Sequence, residues 1–146
     1  MATVAFVKTS DRSEGVRRAL NLLDVEPAKG KNLFLKPNYN SADPTPGSTH
    51  SDVLSTLVRF LQEQGAGRIT VGDRSGMGDT RAVMVERDVL RVGSELGFDT
   101  MVLDELGGDD WQLMQSGPQA GESHWKQGFA VARPVLEADG VVQTCC

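Results

Sequence analysis

Three places in this sequence of 146 residues carry side chains that can do chemistry, and each lies beside a regular apolar pattern. The first is Leu35-Lys36-Pro37-Asn38, where an apolar run stops at a lysine. A lysine that ends a strand, and is restricted by the following proline, can offer its ammonium group to an anion at a defined place. Lys36 is therefore a candidate catalytic residue and Asn38 a candidate ligand contact. The alternative is a surface lysine before a turn.

The second place is Thr49-His50, at the entrance to an amphipathic segment. Backbone N–H groups at a helix start favour anions, and an imidazole beside them can act as acid, base or metal ligand. His50 is therefore the second candidate catalytic residue, and Thr49 is a candidate ligand contact. The alternative is a capping threonine followed by an exposed histidine.

The third place is the loop from Asp73 to Thr80, which follows an apolar run and precedes a helical pattern. A strand, a glycine-bearing turn and a helix can cradle an anion. The loop nevertheless lacks the Gly-Lys-Ser/Thr ending of a P-loop and the third glycine of a dinucleotide fingerprint, since position 81 is arginine. A plain turn is the better interpretation, with Asp73 and Ser75 kept as candidate contacts to a metal or hydroxyl group.

The elements that must position these residues follow from hydrophobic periodicity. Short runs rich in β-branched and aromatic residues predict strands, and apolar residues three and four apart predict helices between them. Strands separated by helices imply crossover connections, so we expect a Rossmann-like, three-layer α/β domain with a mainly parallel sheet. The predicted strands are Thr3–Lys8, Leu33–Lys36, Arg68–Gly72, Thr100–Leu103, Phe129–Val131 and a central Val141–Thr144.

The predicted helices have recognisable boundaries. Asp11 with Glu14, and Thr49 with Asp52, have the spacing of capping boxes, and Pro37–Ser48 is a loop by composition. The third helical segment is expected to break near Arg87 or Asp88 and to end at Gly97.

The chain is expected to form one domain over residues 1–146, with an irregular excursion or lid at 107–126. Its last apolar run stops on Cys145 and Cys146, which predicts an N-terminal fragment of a longer protein whose sheet is truncated at its C-terminal end. A natural edge strand is the alternative. An exposed sheet edge would make oligomers possible.

Composition narrows the function classes. The net charge of −5 argues against nucleic-acid binding, which usually needs a basic patch. No apolar run reaches the roughly 20 residues that span a bilayer, and the N-terminus does not read as a signal peptide, so we expect no membrane partner and a cytoplasmic protein. Two adjacent cysteines exclude a disulfide framework and do not have the spacing of an iron–sulfur motif. The sequence leaves the identity of a cofactor or metal unknown.

With these residues in place, the chain resembles domain-of-unknown-function family 362, whose members are often described as iron–sulfur-associated. The likeness rests on Leu35–Asn38, Ser48–His50, Ile69–Ser75 and Leu136–Val142, in this order and spacing. Ser51 stands where the family commonly has proline, and Arg74 interrupts its Val-Gly-Asp-Ser segment. The resemblance spans Val4 to Val142.

The leading hypothesis is the N-terminal α/β domain of a protein of this kind, which binds a small anionic ligand or a metal cofactor at the strand carboxyl ends. Redox chemistry, with an iron–sulfur cluster or another metal, would then belong to the full-length protein. A more distant similarity, to the N-terminal domain of nickel-pincer lactate racemases, implies an isomerase or racemase of hydroxy acids instead. A non-catalytic scaffold module is the third reading, and whether the chain is an enzyme stays open.

Overall fold

A computed structural model describes residues 3–23, 28–115, 125 and 127–145. The helices are α1 (Arg12–Leu22), α2 (Ser51–Glu63), α3 (Thr80–Glu86), α4 (Val89–Leu96) and α5 (Arg133–Leu136). The strands are β1 (Leu33–Lys36), β2 (Ile69–Asp73), β3 (Asp99–Val102), β4 (Trp111–Met114), β5 (Phe129–Ala132) and β6 (Gly140–Gln143). Two 3₁₀ turns, Leu103–Glu105 and Gly108–Asp110, follow β3.

Four strands form a parallel sheet in the order β3-β2-β1-β6. Leu33 pairs with Ile69 on one side and with Gly140 on the other, so β1 lies inside the sheet. The α/β fold with a parallel sheet is therefore confirmed. Because β6 pairs only with β1 among the described residues, the prediction that this last strand is central was wrong.

Two apolar clusters lie on opposite faces of the sheet, because successive side chains of a strand point to opposite faces. Leu35 packs with residues of α2 and α4 in the larger cluster, and Val16 and Leu20 of α1 pack against it. Phe34 points the other way and packs with Leu103 and Ala132. The result is the expected three-layer arrangement.

The chain from 107 to 126 is described as far as Gln115 and again at Trp125. Its strand β4 pairs antiparallel with β5, which follows this stretch, as a separate two-stranded sheet. Trp111 packs against the second cluster, so this part of the chain lies on a face of the main sheet. The remaining residues of the predicted excursion lie outside the described ranges.

In this structure the predicted strand Thr3–Lys8 is not formed. Residues 3–9 have no strand pairing in the described part of the chain, and the side chains of Val4 and Phe6 are 85% and 89% exposed. Strand propensity measures how well a residue fits a pleated, half-buried surface, and this segment does not lie on one.

The helix boundaries agree with the sequence-based expectations at two points. Asp88 adopts a left-handed conformation (φ 63°) between α3 and α4, where the break was predicted. Gly97 (φ 73°) ends α4, as expected for a glycine that can adopt positive φ without steric cost.

Gly72 provides a test of how closely the second cluster is packed. A Cβ at this position would lie 2.6 Å from Cζ of Phe34 and 3.1 Å from the Met101 carbonyl oxygen. We expect Gly72→Ala to lower the free energy of unfolding by about 1–3 kcal/mol, because overpacking forces neighbouring groups to shift. Gly108→Ala is the matched control, since no atom of the described residues lies within 4 Å of its added Cβ. Urea denaturation of both variants checks this, and equal stabilities would contradict it.

Candidate functional site

The carboxyl ends of β1 and β6 lie side by side at the point where the order of the strands in the sheet reverses. The chain proceeds from β1 through β2 to β3 on one side, whereas β6 returns to the other side of β1. In open α/β sheets a binding crevice forms at such a switch point, outside the carboxyl ends of the strands. Lys36 ends β1, and Thr144 follows β6 at this place.

A buried carboxylate organises this edge of the sheet. Asp73, the last residue of β2, is 1% exposed, and its Oδ1 lies 2.7 Å from Nζ of Lys36. Its Oδ2 accepts a 2.6 Å hydrogen bond from the backbone N–H of Tyr39. The lysine side chain is 40% exposed, so its ammonium is held at one side and open to solvent at the other.

Ser75 reinforces the same loop from the neighbouring strand end. Its hydroxyl donates to the Tyr39 carbonyl oxygen at 2.6 Å, and its backbone N–H donates to the Thr80 hydroxyl at 2.9 Å. The backbone N–H of Gly76 likewise donates a hydrogen bond, to the side-chain Oδ1 of Asn40 at 3.0 Å. These amides serve the loop itself, so the geometry favours the plain turn over an anion cradle.

Asn38 and Thr49 close the long loop after β1. The backbone N–H of Thr49 donates to the Asn38 carbonyl, and the N–H of Asn38 donates to the Thr49 hydroxyl, both at 2.9 Å. The hydroxyl oxygens of Thr49 and Thr144 are 3.0 Å apart, and Thr144 N–H donates to the Lys36 carbonyl oxygen. Two backbone segments are thus joined across the switch point.

His50 is the N-cap of α2, which corrects the expectation that Thr49 caps it. Its Nδ1 accepts a 3.1 Å hydrogen bond from the N–H of Asp52, and its carbonyl accepts from Val53 and Leu54. The helix start is therefore satisfied largely by its own residues. A neutral imidazole that accepts through Nδ1 keeps its N–H on Nε2, available as a donor.

A cavity of about 230 Å³ lies beside this helix start. Its wall includes Ser48, Thr49 and His50 from one side and Arg87 from the other, together with two acidic residues, Glu86 and Asp88. The Nε of Arg87 is buried and makes no hydrogen bond to the described residues. The cavity therefore has mixed charge, with hydroxyl, imidazole and guanidinium groups on its wall.

The charge of Asp104 stabilises the loop that follows β2. Its carboxylate accepts a hydrogen bond from the Thr80 hydroxyl and another, at 2.7 Å, from Nε of Arg74. The Thr80 hydroxyl, more than Arg74, holds the pKa of Asp104 below its ordinary value. Thr80 also accepts from Ser75, so this carboxylate supports the loop that carries Asp73.

The structure therefore brings Lys36, Asp73 and Ser75 into one network and Asn38 and Thr49 into a second. His50 lies next to Thr49 in the chain but is hydrogen-bonded to its own helix. Two participants were missed from the sequence. Tyr39 acts through its backbone groups, which leave no sequence signal, and Thr144 was assigned only to the end of a strand.

The described residues do not fit a metal centre. No three His, Cys, Asp or Glu side chains come together in the described part of the chain in a way that could hold an ion. Cys145 is exposed, and a cluster bound by cysteine thiolates needs several such ligands. The iron–sulfur site that the resemblance implies therefore has no donor set among these residues. Nor is any described helix long and apolar enough to cross a membrane.

The architecture is that of an α/β domain with a parallel sheet whose strand order reverses between β1 and β6. The sequence profile of the family described as "Domain of unknown function (DUF362)" matches residues 33–146. The chain therefore belongs to the DUF362 family, as the four sequence segments indicated. No curated protein and no solved structure matches the chain.

The pair formed by Lys36 and Asp73 predicts a specific loss of stability. Removing the ammonium leaves a buried carboxylate with one partner fewer, so Lys36→Met should lower the free energy of unfolding by about 1–3 kcal/mol. Lys29→Met, at an exposed lysine near the amino end of the sheet, is the control. In a double-mutant cycle with Asp73→Asn, urea denaturation should give a coupling of at least about 0.5 kcal/mol. Strict additivity would show that the pair contributes nothing.

The lowered pKa of Asp104 predicts a pH dependence of stability. A carboxyl whose pKa is lower in the folded state stabilises the protein above its unfolded pKa, near 3.9, and loses that contribution as pH falls through the folded pKa. We therefore expect Asp104→Asn to lower Tm at pH 6, with a difference from wild type that shrinks below about pH 4. Thermal melts between pH 2.5 and 7 check this, with Asp109→Asn as control. A pH-independent difference would refute the assignment.

Proposed function

We propose that this domain binds a small anionic ligand at the β1–β6 switch point, with Lys36 as the charged contact. The observation that carries the proposal is the Lys36–Asp73 pair, in which a buried carboxylate holds a half-exposed ammonium at a strand carboxyl end. Nζ of Lys36 lies 2.7 Å from Oδ1 of Asp73 and 3.4 Å from the Pro37 carbonyl oxygen, and these contacts use two of the three N–H groups of an ammonium. The third is left for a ligand oxygen.

The surroundings of Lys36 support an anion more than a neutral molecule. Thr49 and Thr144 place hydroxyl groups at the same switch point, and hydroxyls can donate to an anion once their mutual hydrogen bond is exchanged. Next to them His50 offers an Nε2–H donor. In this proposal Lys36 supplies charge, Asn38 and Thr49 shape the loop, and Asp73 with Ser75 orients the lysine and its loop.

Inorganic phosphate and lactate are suitable probes, because they represent a compact polyanion and a hydroxy acid. We expect one of them to raise Tm of the wild-type domain, and a ligand at 100 times its Kd should add about 2.7 kcal/mol to the free energy of unfolding. The same ionic strength of sodium chloride is the reference. Lys36→Met should abolish the stabilisation, and Lys29→Met should retain it.

Lys36→Arg refines the same experiment, since it keeps the charge but replaces a compact ammonium by a planar fork. Partial retention of binding in Lys36→Arg would fit a charge-dominated contact. A Tm that does not respond to either probe, or that responds equally in Lys36→Met, would end the proposal. Those results would favour a non-catalytic scaffold module.

The metal and redox interpretation makes a separate prediction about the metal content of the protein. Metal analysis and a visible spectrum of the anaerobically purified protein would show iron with sulfide if a cluster is present. For the hydroxy-acid isomerase, Lys36→Ala and His50→Ala should each abolish turnover of lactate without unfolding the domain. Unchanged turnover in either variant would remove that alternative.

A further inference from the structure

Two parts of this domain have strand character and lack a strand partner among the described residues. One is Thr3–Lys8, whose composition favours a strand and whose Val4 and Phe6 are almost fully exposed. The other is the outer edge of β6, whose Val141 is 51% exposed. An open edge presents a row of N–H and C=O groups that can pair with another strand.

The handedness of crossover connections determines the position that a strand at Thr3–Lys8 would take in the sheet. The helices α1 and α2 pack against each other on one face of the sheet. The connection from β1 through α2 leads to β2, and parallel crossovers are right-handed in about 98% of cases. A strand that reaches β1 through α1, on the same face, must therefore lie on the opposite side of β1 from β2. That side is occupied by β6, so the free position is beyond it.

The local structure is compatible with this position. Only three residues separate Lys8 from the start of α1, so the segment stays close to the helix that lies over this side of the sheet. Between α1 and β6 runs an apolar groove of about 270 Å³, lined by Leu20, Leu57, Phe60, Val142 and their neighbours. Apolar side chains of a docked strand would cover this groove and leave water, which is favourable.

We propose that Thr3–Lys8 of the same chain docks parallel to the outer edge of β6 as a fifth strand and brings Lys8 to the ligand crevice. In this arrangement the sheet order becomes β3-β2-β1-β6 followed by the new strand. The part that concerns the ligand rests on the proposed function. The docking itself does not.

The position of Lys8 follows from the spacing of strands. Parallel strands lie about 4.8 Å apart, so the carboxyl end of the docked strand would be about 10 Å from that of β1. Two lysine side chains that approach from these ends can contact the same small anion. Lys8 would then be a further binding residue, selecting a ligand with two anionic groups or a doubly charged one.

Hydrogen exchange of the ligand-free protein tests the docking. Paired amides at 3–8 should exchange at least about 100-fold more slowly than in an unstructured segment. Phe6→Pro, which removes a ladder donor, should abolish this protection and lower Tm by several degrees. The matched comparison is Met77→Ala against Phe6→Ala, because both side chains are exposed in the undocked form. Only the Phe6 substitution should destabilise.

Three results of this experiment would overturn the docking. Exchange of residues 3–8 at unstructured rates would show that the segment stays free. Equal changes in Tm for Phe6→Ala and Met77→Ala would also show that the segment stays free. Protection that increases with protein concentration, together with a dimer by light scattering, would show that a second copy provides the strand.

Phosphate titration tests the role of Lys8 separately. Lys8→Met should weaken binding by about 3-fold or more, and Lys29→Met should not change it, because loss of one close charge contact removes a modest interaction energy. Protected residues 3–8 with an unchanged Kd in Lys8→Met would overturn the ligand role and keep the strand. A protein that binds no anion yet protects residues 3–8 would overturn the proposed function, and with it the ligand role of Lys8, but would keep the strand.

Discussion

The carboxyl edge of this sheet depends on one buried carboxylate. Burying a charged group is costly unless it is paired and hydrogen-bonded, and Asp73 satisfies this condition with Lys36 and the Tyr39 N–H. The two contacts connect the end of β2 with the end of β1 and with the loop beyond it. Lys36 is consequently positioned by the fold rather than by its own chain preferences, since a solvated lysine side chain has considerable rotamer freedom.

Much of the fold was readable from periodicity. The apolar run at Leu33–Lys36 became a strand with the predicted bounds, because a strand covered on both faces needs a continuous apolar sequence. The break at Asp88 and the end at Gly97 were readable because left-handed conformations favour few residue types. The α/β class then followed from the alternation of elements and the rule that parallel strands need crossovers.

The candidate site was only partly readable, for physical reasons. Lys36 and Asp73 were found because both end strands, but their direct contact depends on β1 and β2 being neighbours in the sheet. His50 takes the capping role because it lies directly before Ser51, and a sequence pattern places such boundaries only within one or two residues. Thr144 reaches Thr49 across a separation of 95 residues, which no local pattern reports. The failure at Thr3–Lys8 has the same origin, since propensity does not specify a partner.

The pairing of β1 with β6 also bears on how this domain is made. The contact from Asn32 N–H to the Asp139 side chain joins residues 107 positions apart, and β1 lies between an early partner and this late one. During synthesis, β1 can pair with β2 soon after both emerge, but its second edge stays open until β6 has left the ribosome. Such long-range closure is slow and leaves an apolar strand accessible to other chains. The strand β1, which is interior in the finished sheet, is therefore an exposed edge strand in the nascent chain. A chaperone that binds apolar edge strands would bind β1 before β6 is synthesised.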